Sequence, residues 1–402
     1  MNEEGIGYPI YRMNEIHNSI CDLDVKKYAN ITPQELAIFK LQDGDVLFNR
    51  TNSFEWVGRT GIYYKSTEQD EKVFASYLVR LIPDAKQVLP EYLTAFLNTT
   101  YGVRQIKARA RQSINQTNVN PEEVKEIEIP LLSEKLQKAI QSNYRSAHEN
   151  LVAAQEAYKL AEDILNSSLG IADFADESCS IKTLSDSFMQ SGRLDAEYYQ
   201  PKYEKILLQL NAKETISSLC NLYDSNFVPD TNTEYEYIEL SNVGLSGDIS
   251  SVEKIIGGEL PSRARRIVQK GQVIVSSVEG SLSSCALINS EFDGALCSTG
   301  FYVIDSDKIN SETLLVLFKS EPIQSLLKQR CSGTILTAIS KDEFLNMPLP
   351  LINNVVQKEI SVKVQESFRL RKEAKRLLDN AIKVIEMAIE TDEETALNGL
   401  ID

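Results

Sequence analysis

An internal repeat constrains the fold of this chain more than any other feature of its sequence. The segment SINQTNVNPEEVKEIEIPLLSEKLQKAI, residues 113–140, aligns with GTILTAISKDEFLNMPLPLINNVVQKEI, residues 333–360, at a constant offset of 220. Within this alignment Gln137 falls on Gln357. Self-similarity over so long a period predicts that one structural arrangement is built twice.

The repeat extends upstream with small changes of offset. PEYLTAFLN (90–98) matches SETLLVLFK (311–319), and LQDGDVLFNRT (41–51) matches VQKGQVIVSSV (268–278). Traced upstream, the match stops near residue 11 of the first copy, so residues 181–234 of the second copy have no counterpart in the first. We therefore predict an N-terminally short first domain. Either residues from elsewhere in the chain complete this domain, or the sequence begins late.

Each copy has two parts with different periodicities. The front part alternates short β-rich runs, such as DVLFN and QVIVSSV, with turns and short helices, which predicts a mixed α/β (α+β) domain. The back part has apolar residues every three or four positions over nearly five heptads, which is typical of a long helix. Such a helix must bury its apolar stripe, so we predict that the two long helices pair as an antiparallel coiled coil. Its seam includes Ile140, Leu151, Leu165, Ile360, Leu378 and Ile385, and is interrupted in the second copy by Ser367 and Arg371.

The two copies divide the sequence into domains. We predict a first domain at residues 1–130, a first spacer helix at 131–170, a second domain at 171–350, a second spacer helix at 351–391 and an acidic tail at 392–402. No apolar run of about 18 residues occurs, and the N-terminus has neither a basic start nor an apolar core. We expect a cytoplasmic protein.

The residues that usually carry catalysis or bind metals are few and scattered. The six cysteines form no C-x-x-C pair, so neither a disulfide framework nor a zinc site is indicated, and buried reduced thiols are expected. There are two histidines, and neither GxGxxG nor GxxxxGK[ST] occurs. We expect no catalytic residue, no metal site and no cofactor bound by this chain itself.

Basic islands lie within an acidic chain of net charge -16. Residues 101–120 contain Arg104, Lys107, Arg109 and Arg111 without any acid, and residues 261–271 contain Arg263, Arg265, Arg266 and Lys270, again without an acid. Arg50, Asn52 and Gln112 are of the types that make bidentate contacts with bases. Thr51, Ser53, Asn115, Gln116, Thr117 and Asn118 suit phosphate and sugar contacts. These features favour duplex DNA as a partner.

Two structural interpretations compete with this one. Residues 49–53 form a turn whose Asn and Ser side chains cap their own backbone, if the polar cluster serves folding alone. The RQIKARARQ segment, residues 104–112, is a solvated helix face, as most charge runs are. Both interpretations stay open on the chemistry of the residues.

Several stretches together resemble the specificity subunits of type I restriction-modification systems. They are GDVLFNRTNSFEWVGRTGIYY (44–64), STGFYVID (298–305), the pair INQTNVN and SGTILTAIS, and the proline lead-ins followed by QKAI or QKEI. The resemblance covers nearly the whole chain. It implies a non-catalytic DNA-binding subunit whose two target recognition domains each recognise half of a split, asymmetric site. The implied partners are double-stranded DNA, two methyltransferase subunits and restriction subunits, which themselves bind S-adenosylmethionine and ATP.

The resemblance also implies which residues contact DNA. In the first domain they are Asn49, Arg50, Thr51, Asn52, Ser53, Arg104, Lys107, Arg109, Arg111, Gln112, Asn115, Gln116, Thr117 and Asn118. In the second they are Arg263, Arg265, Arg266, Ser276, Ser277, Ser281, Arg330, Ser332 and Thr334, with VSSVEG in place of the first copy's FNRTNS. Two alternatives remain: a decoy or unpaired specificity protein that binds methyltransferase but recognises DNA poorly, and a coiled-coil scaffold that binds no DNA.

Overall fold

The structure is a computed structural model that describes residues 1–2, 4–66, 71–114, 116–170, 179–244, 246–250, 252–333 and 337–399. The chain divides into two compact units. The first consists of Met1–Ala153 together with Arg369–Asp402, and the second of Ala154–Phe368. Each unit therefore contains one copy of the repeat and a part of both long helices. In the described part of the chain, no helix has a stretch long and apolar enough to cross a membrane.

The first unit is a mixed α/β domain. Its strands are β1 (Tyr8–Tyr11), β2 (Ile16–His17), β3 (Ile20–Cys21), β4 (Tyr28–Ala29), β5 (Val46–Asn49), β6 (Thr51–Asn52), β7 (Thr60–Ile62), β8 (Val73–Phe74), β9 (Leu78–Leu81), β10 (Arg111–Gln112) and β11 (Thr117–Asn118). Its helices are α1 (Pro33–Phe39), α2 (Pro90–Leu97), α3 (Thr100–Arg109), α4 (Pro121–Val124) and the start of α5 (Glu134–Leu169). The strands form sheets of order β4-β1-β8, β2-β3-β7-β5-β9 and β10-β11-β6.

The second unit has the same kind of architecture. Its helices are the end of α5, then α6 (Phe188–Ser191), α7 (Pro201–Leu210), α8 (Ile216–Leu219), α9 (Ser311–Lys319), α10 (Glu321–Arg330), α11 (Lys341–Leu345) and the start of α12 (Asn354–Glu390), with 3-10 turns at Ala196–Tyr199, Leu240–Asn242 and Glu279–Ser281. Its strands are β12 (Glu214–Thr215), β13 (Asn221–Tyr223), β14 (Glu234–Ile238), β15 (Glu253–Ile256), β16 (Ala264–Ile267), β17 (Val273–Ser276), β18 (Cys285–Leu287), β19 (Leu296–Ser298), β20 (Phe301–Asp305), β21 (Cys331–Ser332), β22 (Ala338–Ile339) and β23 (Pro348–Leu349). The sheet orders are β15-β14-β19-β16, β13-β20-β17-β18, β12-β23 and β21-β22.

The strand registers match between the two copies. In the first unit β1 runs parallel to β8 with Tyr11 opposite Phe74, and in the second β14 runs parallel to β19 with Ile238 opposite Cys297. The central strand β5 pairs antiparallel with β7 and β9, as β17 does with β18 and β20. The prediction of one mixed α/β arrangement built twice is therefore confirmed.

The long helices α5 and α12 pack antiparallel. In the first unit the early part of α5, including Ile140, shares a core with the late part of α12, including Leu378 and Ile385. In the second unit the late part of α5, including Leu165, shares a core with the early part of α12, including Ile360. Leu151 is half-buried against the first core. The predicted antiparallel pairing is confirmed.

Ser367 fits the seam although it is polar. It is fully buried, and its Oγ donates to the carbonyl of Ala154 at 2.7 Å. A buried hydroxyl costs little when it is hydrogen-bonded, since the bond replaces the one it made with water. The serine that interrupts the apolar pattern is thus a contact between the two helices.

The C-terminal residues complete the core of the first unit. After α12 the chain forms a further helix, α13 (Glu393–Asn398), whose N-cap Asp392 accepts a hydrogen bond from the backbone N–H of Thr395. Ala396 is fully buried in the first core, and the carboxylate of Glu393 accepts from the backbone N–H of Ser133 at 3.1 Å. Within the stretch predicted as an acidic tail, the described residues therefore include a capped helix docked on the first unit.

A buried glutamine joins the domain of the first unit to its long helix. Gln137 lies in the first turn of α5. Its Oε1 accepts from the N–H of Leu89 at 2.9 Å, and its Nε2 donates to the carbonyls of Gln87 and Leu132, both at 3.0 Å. One side chain thereby ties the segment before α2 to the lead-in of α5.

The second unit has the same three bonds. Gln357 in α12 accepts from the N–H of Asn310 at 2.8 Å and donates to the carbonyls of Lys308 and Ile352 at 3.0 and 2.9 Å. The glutamine that the repeat places at both positions therefore has one structural role, which fixes the start of α2 or α9 against its long helix.

Part of the second unit has no equivalent in the first. There β13 extends the sheet beyond β20, and β12 pairs with β23. In the described first unit β9, the equivalent of β20, ends its sheet. In the first unit the side-chain amide of Gln105 exchanges two hydrogen bonds of 2.9 Å with the backbone of Glu128, the residue that aligns with Pro348 of β23. Because Pro348 has no N–H, these two bonds are a feature of the first copy and do not reproduce the pairing of β12 with β23.

Candidate nucleic-acid interface

A three-stranded ribbon in the first unit joins the two segments that were predicted to contact DNA. In it Asn118 of β11 lies opposite both Arg111 of β10 and Thr51 of β6. Thr117 likewise lies opposite Gln112 and Asn52. Directly opposed residues share a face of the sheet. The structure therefore brings residues 51–52 next to residues 111–118, which lie about 60 positions away along the sequence.

Most of the polar side chains around the ribbon are accessible. Ser53, Arg104, Arg111, Gln112, Gln116 and Asn118 are exposed, and Arg50, Thr51 and Asn52 are half-buried. The Thr51 hydroxyl donates to Asn118 Oδ1 at 2.5 Å, and Arg111 forms an ion pair with Glu123. Amides and guanidinium groups in this arrangement offer both donors and acceptors to a ligand. Asn115 lies outside the described residues.

Arg50 connects this ribbon to the neighbouring sheet. Its backbone N–H donates to the carbonyl of Tyr77, and its carbonyl accepts from the N–H of Val119. Its side-chain Nε is buried without a hydrogen-bond partner among the described residues. The guanidinium therefore keeps an unused donor at the margin of the ribbon.

Asn49 is set apart from this accessible group. It is fully buried as the last residue of β5, and neither its Oδ1 nor its Nδ2 has a hydrogen-bond partner in the described part of the chain. Its equivalent in the second copy, Ser276, is also fully buried, and its hydroxyl accepts from the N–H of Val278 at 3.2 Å. A ligand on the surface does not reach either side chain in this conformation.

Two cations of the first basic island hold the protein's own backbone. Lys107 Nζ donates to the carbonyls of Glu55 and Val57 at 2.9 Å and also to that of Phe54. Desolvation by burial lowers the pKa of Lys107. Arg109 donates to the carbonyls of Gln105 and Glu126 at 3.0 and 2.7 Å. These two side chains position the loop after β6 and the lead-in of α5, whereas Arg104 is exposed to solvent.

In the second unit, the residues predicted to contact DNA are distributed over several loops and strands. Ser277 Oγ donates to the carbonyl of Gly300 at 2.8 Å, and Ser281 Oγ lies 3.1 Å from that of Ser276. The backbone N–H of Ile339 donates to the carbonyl of Ser277, which joins this loop to β22 as β6 is joined to β11. Ser332 is exposed in the adjoining strand β21, and Thr334 lies outside the described residues.

The arginines of the second unit differ in their exposure. Arg263 is exposed, and its carbonyl accepts from the N–H of Thr299, beside the loop that carries Ser277. Arg265 and Arg266 are half-buried in β16 and donate to the carbonyls of Ser262 and Tyr223. Arg330 is the last residue of α10, and burial lowers its pKa.

Sequence reasoning missed two aromatic residues beside the ribbon. Phe54 and Trp56 are 45% and 39% exposed in the loop after β6. The available signal was the sole tryptophan of the chain, placed in a polar loop. Among the described residues, no group of three or more His, Cys, Asp and Glu side chains is arranged to hold a metal ion.

Comparison with known proteins adds independent information. No protein-family model matches the chain. It is 31% identical over 152 residues to a specificity subunit assigned to the type I restriction enzyme MjaX of Methanocaldococcus jannaschii, and 30% identical over 125 residues to the EcoKI specificity subunit of Escherichia coli K12. These matches cover 38% and 31% of this chain but only 35% and 26% of the relatives. The structure of a type I restriction-modification S subunit from M. genitalium aligns over 100% of this chain and 90% of its own, with a TM-score of 0.39 and 13% identity.

The fold defines a protein with two α/β domains and paired long helices. Both curated relatives that match parts of this chain are specificity subunits of type I restriction-modification systems.

Proposed function

We propose that this chain is the DNA sequence-recognition subunit of a type I restriction-modification complex. Each unit contacts one half of a bipartite, asymmetric site. One observation carries the proposal: each copy places a loop beside an equivalent β-hairpin, but the side chains of the two loops differ. The first copy has Arg50, Thr51 and Asn52 where the second has Ser277, Val278 and Glu279.

The chemistry of the first ribbon supports base recognition. An exposed amide such as Gln112 pairs with adenine edges, and an arginine such as Arg111 pairs with guanine or a phosphate. Asn52 also has an amide, but its Oδ1 accepts from the N–H of Ser53 at 2.8 Å. Arg111 and Gln112 lie in β10, which pairs with β11, and the major groove admits a two-stranded ribbon. The accessible candidates of the second unit are Arg263, Ser277, Ser281 and Ser332.

The partners follow from the family to which the matched relatives belong. We propose that the chain has no catalytic centre and recruits two methyltransferase subunits and, in the complete complex, restriction subunits. S-adenosylmethionine and ATP then bind to those partners. The surfaces of α5 and α12 are the proposed docking sites, because these helices occur in both units.

Methylome sequencing of the host with and without this chain defines the target. A split adenine-methylated motif should be lost on deletion. Duplexes carrying that motif then serve in binding assays at increasing salt, where affinity should fall steeply because phosphate contacts release counterions. Full-length protein that binds no duplex, alone or with its methyltransferase, contradicts the proposal.

Two substitutions test the first ribbon. Gln112→Ala should lower affinity for the motif roughly tenfold and leave non-specific binding unchanged, as expected of a base contact. Arg111→Ala should lower both if it contacts phosphate, and reduce the salt dependence. Lys86→Ala is the control, because this exposed cation of the first unit lies in the segment between β9 and α2, outside the strands of the ribbon and the long helices. Equal affinities for all three variants would show that the ribbon is not the DNA contact.

The decoy alternative makes a different prediction. A decoy binds the methyltransferase with normal affinity while its complex binds the motif no better than unrelated duplex. A pure scaffold binds no duplex at any salt concentration. Both outcomes are measured in the same assay.

A further inference from the structure

The loop that follows β6 is held rigid by the protein's own groups. Its backbone turns at Ser53, whose carbonyl accepts from the N–H groups of Trp56 and Val57 at 3.1 and 2.9 Å. From the other side, the ammonium of Lys107 donates hydrogen bonds to three carbonyls of the loop. Gly58 has a φ of +92°, and a Cβ there would lie 2.4 Å from the side chain of Ile106. The loop is therefore seated closely on α3.

Two aromatic side chains of this rigid loop remain in solvent. Val57 is 2% exposed and anchors the loop, whereas Phe54 and Trp56 point out at 45% and 39% exposure. Each ring lies beside a cation: the Arg59 guanidinium is 3.6 Å from the Trp56 ring centroid, and Lys107 Nζ is 5.1 Å from that of Phe54. Each aromatic ring is thus placed beside a cation before any ligand arrives, with the exposed Glu55 between the two rings in sequence.

The same end of the ribbon carries a third exposed apolar residue. In the antiparallel pair of β6 and β11, the last residue of β6, Asn52, lies opposite the first residue of β11, Thr117. The aromatic loop that follows β6 and the hairpin tip that precedes β11 are therefore at the same end of the ribbon. At this tip Ile114 is fully exposed. Ser113 and Gln116 close this tip with a backbone hydrogen bond of 2.8 Å. Apolar groups therefore flank the polar side chains of the ribbon.

The second copy has no aromatic residue in the loop equivalent to residues 53–57. Its equivalent loop, VEGSLSS at residues 278–284, contains no aromatic residue, and its one leucine, Leu282, is buried. The first copy thus exposes apolar surface at a position where the second buries it.

We infer that Phe54 and Trp56 form an apolar contact with duplex DNA that helps to specify the first half-site. This inference rests on the proposed function and names a contact that the polar residues do not supply. The exposed Arg104 attracts the phosphates, and the aromatic rings then meet base edges or sugars in the groove. Apolar side chains contact thymine methyl groups or enter a base step, and preformed loops lose little entropy on binding.

The sole tryptophan provides a direct test. Trp56 emission of the full-length chain should change when the motif duplex is added. The change should persist when the second half-site is scrambled and disappear when the first is scrambled. Emission that does not respond to a bound motif overturns the inference.

Affinity measurements complete the test. Phe54→Ala and Trp56→Ala should each weaken motif binding roughly tenfold. Phe188→Ala, which removes a 48%-exposed aromatic ring from the second unit, should not. Circular dichroism verifies that the variants fold, as the exposure of both rings predicts. If Gln112→Ala weakens binding and the aromatic variants do not, the inference fails while the proposed function stands. If the unmodified chain with its methyltransferase binds no duplex, both fail.

Discussion

Gln137 and Gln357 show how one residue can matter to a fold without being apolar. Each is buried at the start of a long helix and satisfies one N–H and two carbonyls of the preceding segments. A buried backbone group that loses its partner costs about 1–3 kcal/mol. The neighbouring lysines, Lys138 and Lys358, recur in the repeat as well, but Lys138 is solvent-exposed and pairs with Glu134.

Gln137→Leu should lower the free energy of unfolding of the first unit by at least about 2 kcal/mol, because three backbone groups lose their partner. Lys138→Ala is the matched control and should change it by less than about 0.5 kcal/mol, since exposed ion pairs contribute little. Urea denaturation followed by circular dichroism measures both. Similar effects of the two substitutions would show that the glutamine bonds do not stabilise the unit.

Elements of the two copies differ where the first copy is short. In the second unit β12 pairs with β23, whereas in the first the side chain of Gln105 bonds both backbone groups of Glu128, which aligns with Pro348 of β23. A primary amide can imitate a peptide group because it has one donor and one acceptor side in the same plane.

Gln105→Ala should leave Glu128 bonded to water and reduce stability by about 0.5–1.5 kcal/mol. The sharper readout is hydrogen exchange, because the amide hydrogen of Glu128 should exchange faster in this variant. Arg104→Ala, at the preceding and exposed position of α3, provides the comparison. Unchanged protection of Glu128 would mean that another group holds this backbone.

The pairing of α5 and α12 gives a second prediction for an element. Leu378→Asp should destabilise the first unit by more than about 3 kcal/mol, because it places a carboxylate at a position that is 2% exposed. Val362→Asp alters the same helix at a 61%-exposed position and should be tolerated. Thermal unfolding of both variants measures the difference. Equal melting temperatures would contradict the buried seam.

At the scale of the whole molecule, the repeat made the fold predictable because two diverged copies report the same pattern twice. The interface was predictable only in part. The sequence indicates that Arg50–Ser53 and Arg104–Asn118 belong together, and the ribbon joins them. Periodicity does not say what a cation contacts, so Lys107 and Arg109 could not be separated from Arg104 until the carbonyls they hold were known. The burial of Asn49 and the bond of Ser367 likewise depend on residues distant in sequence.

The helix α13 illustrates a missed local pattern. Its acidic sequence predicted a tail, yet Asp392 and Thr395 have the spacing of an N-cap, and the following alanine is apolar. The same residues therefore fit both a charged tail and a capped helix. The segment forms a docked helix because Ala396 is buried in the core of the first unit.

The cysteines allow a test that covers both units. Burial raises the pKa of Cys21, Cys220, Cys285, Cys297 and Cys331, whereas Cys179 is exposed. Since the thiolate is the reactive form, a thiol reagent at neutral pH should modify one thiol rapidly in the native protein and all six in denaturant. Cys179→Ser should abolish the rapid phase. Two or more rapidly reacting thiols in the native protein would contradict this packing.

The division of the chain into units also orders its biosynthesis. The second unit, Ala154–Phe368, is a single continuous segment, so all of its residues have been translated before any of Arg369–Asp402. The first unit waits for that last segment, which brings Ala374, Leu378, Ala381 and Ile385 to its core. The residues of the second unit are therefore all synthesised while the first unit still has an open apolar helix face, which is covered only after residues 374–385 have been added.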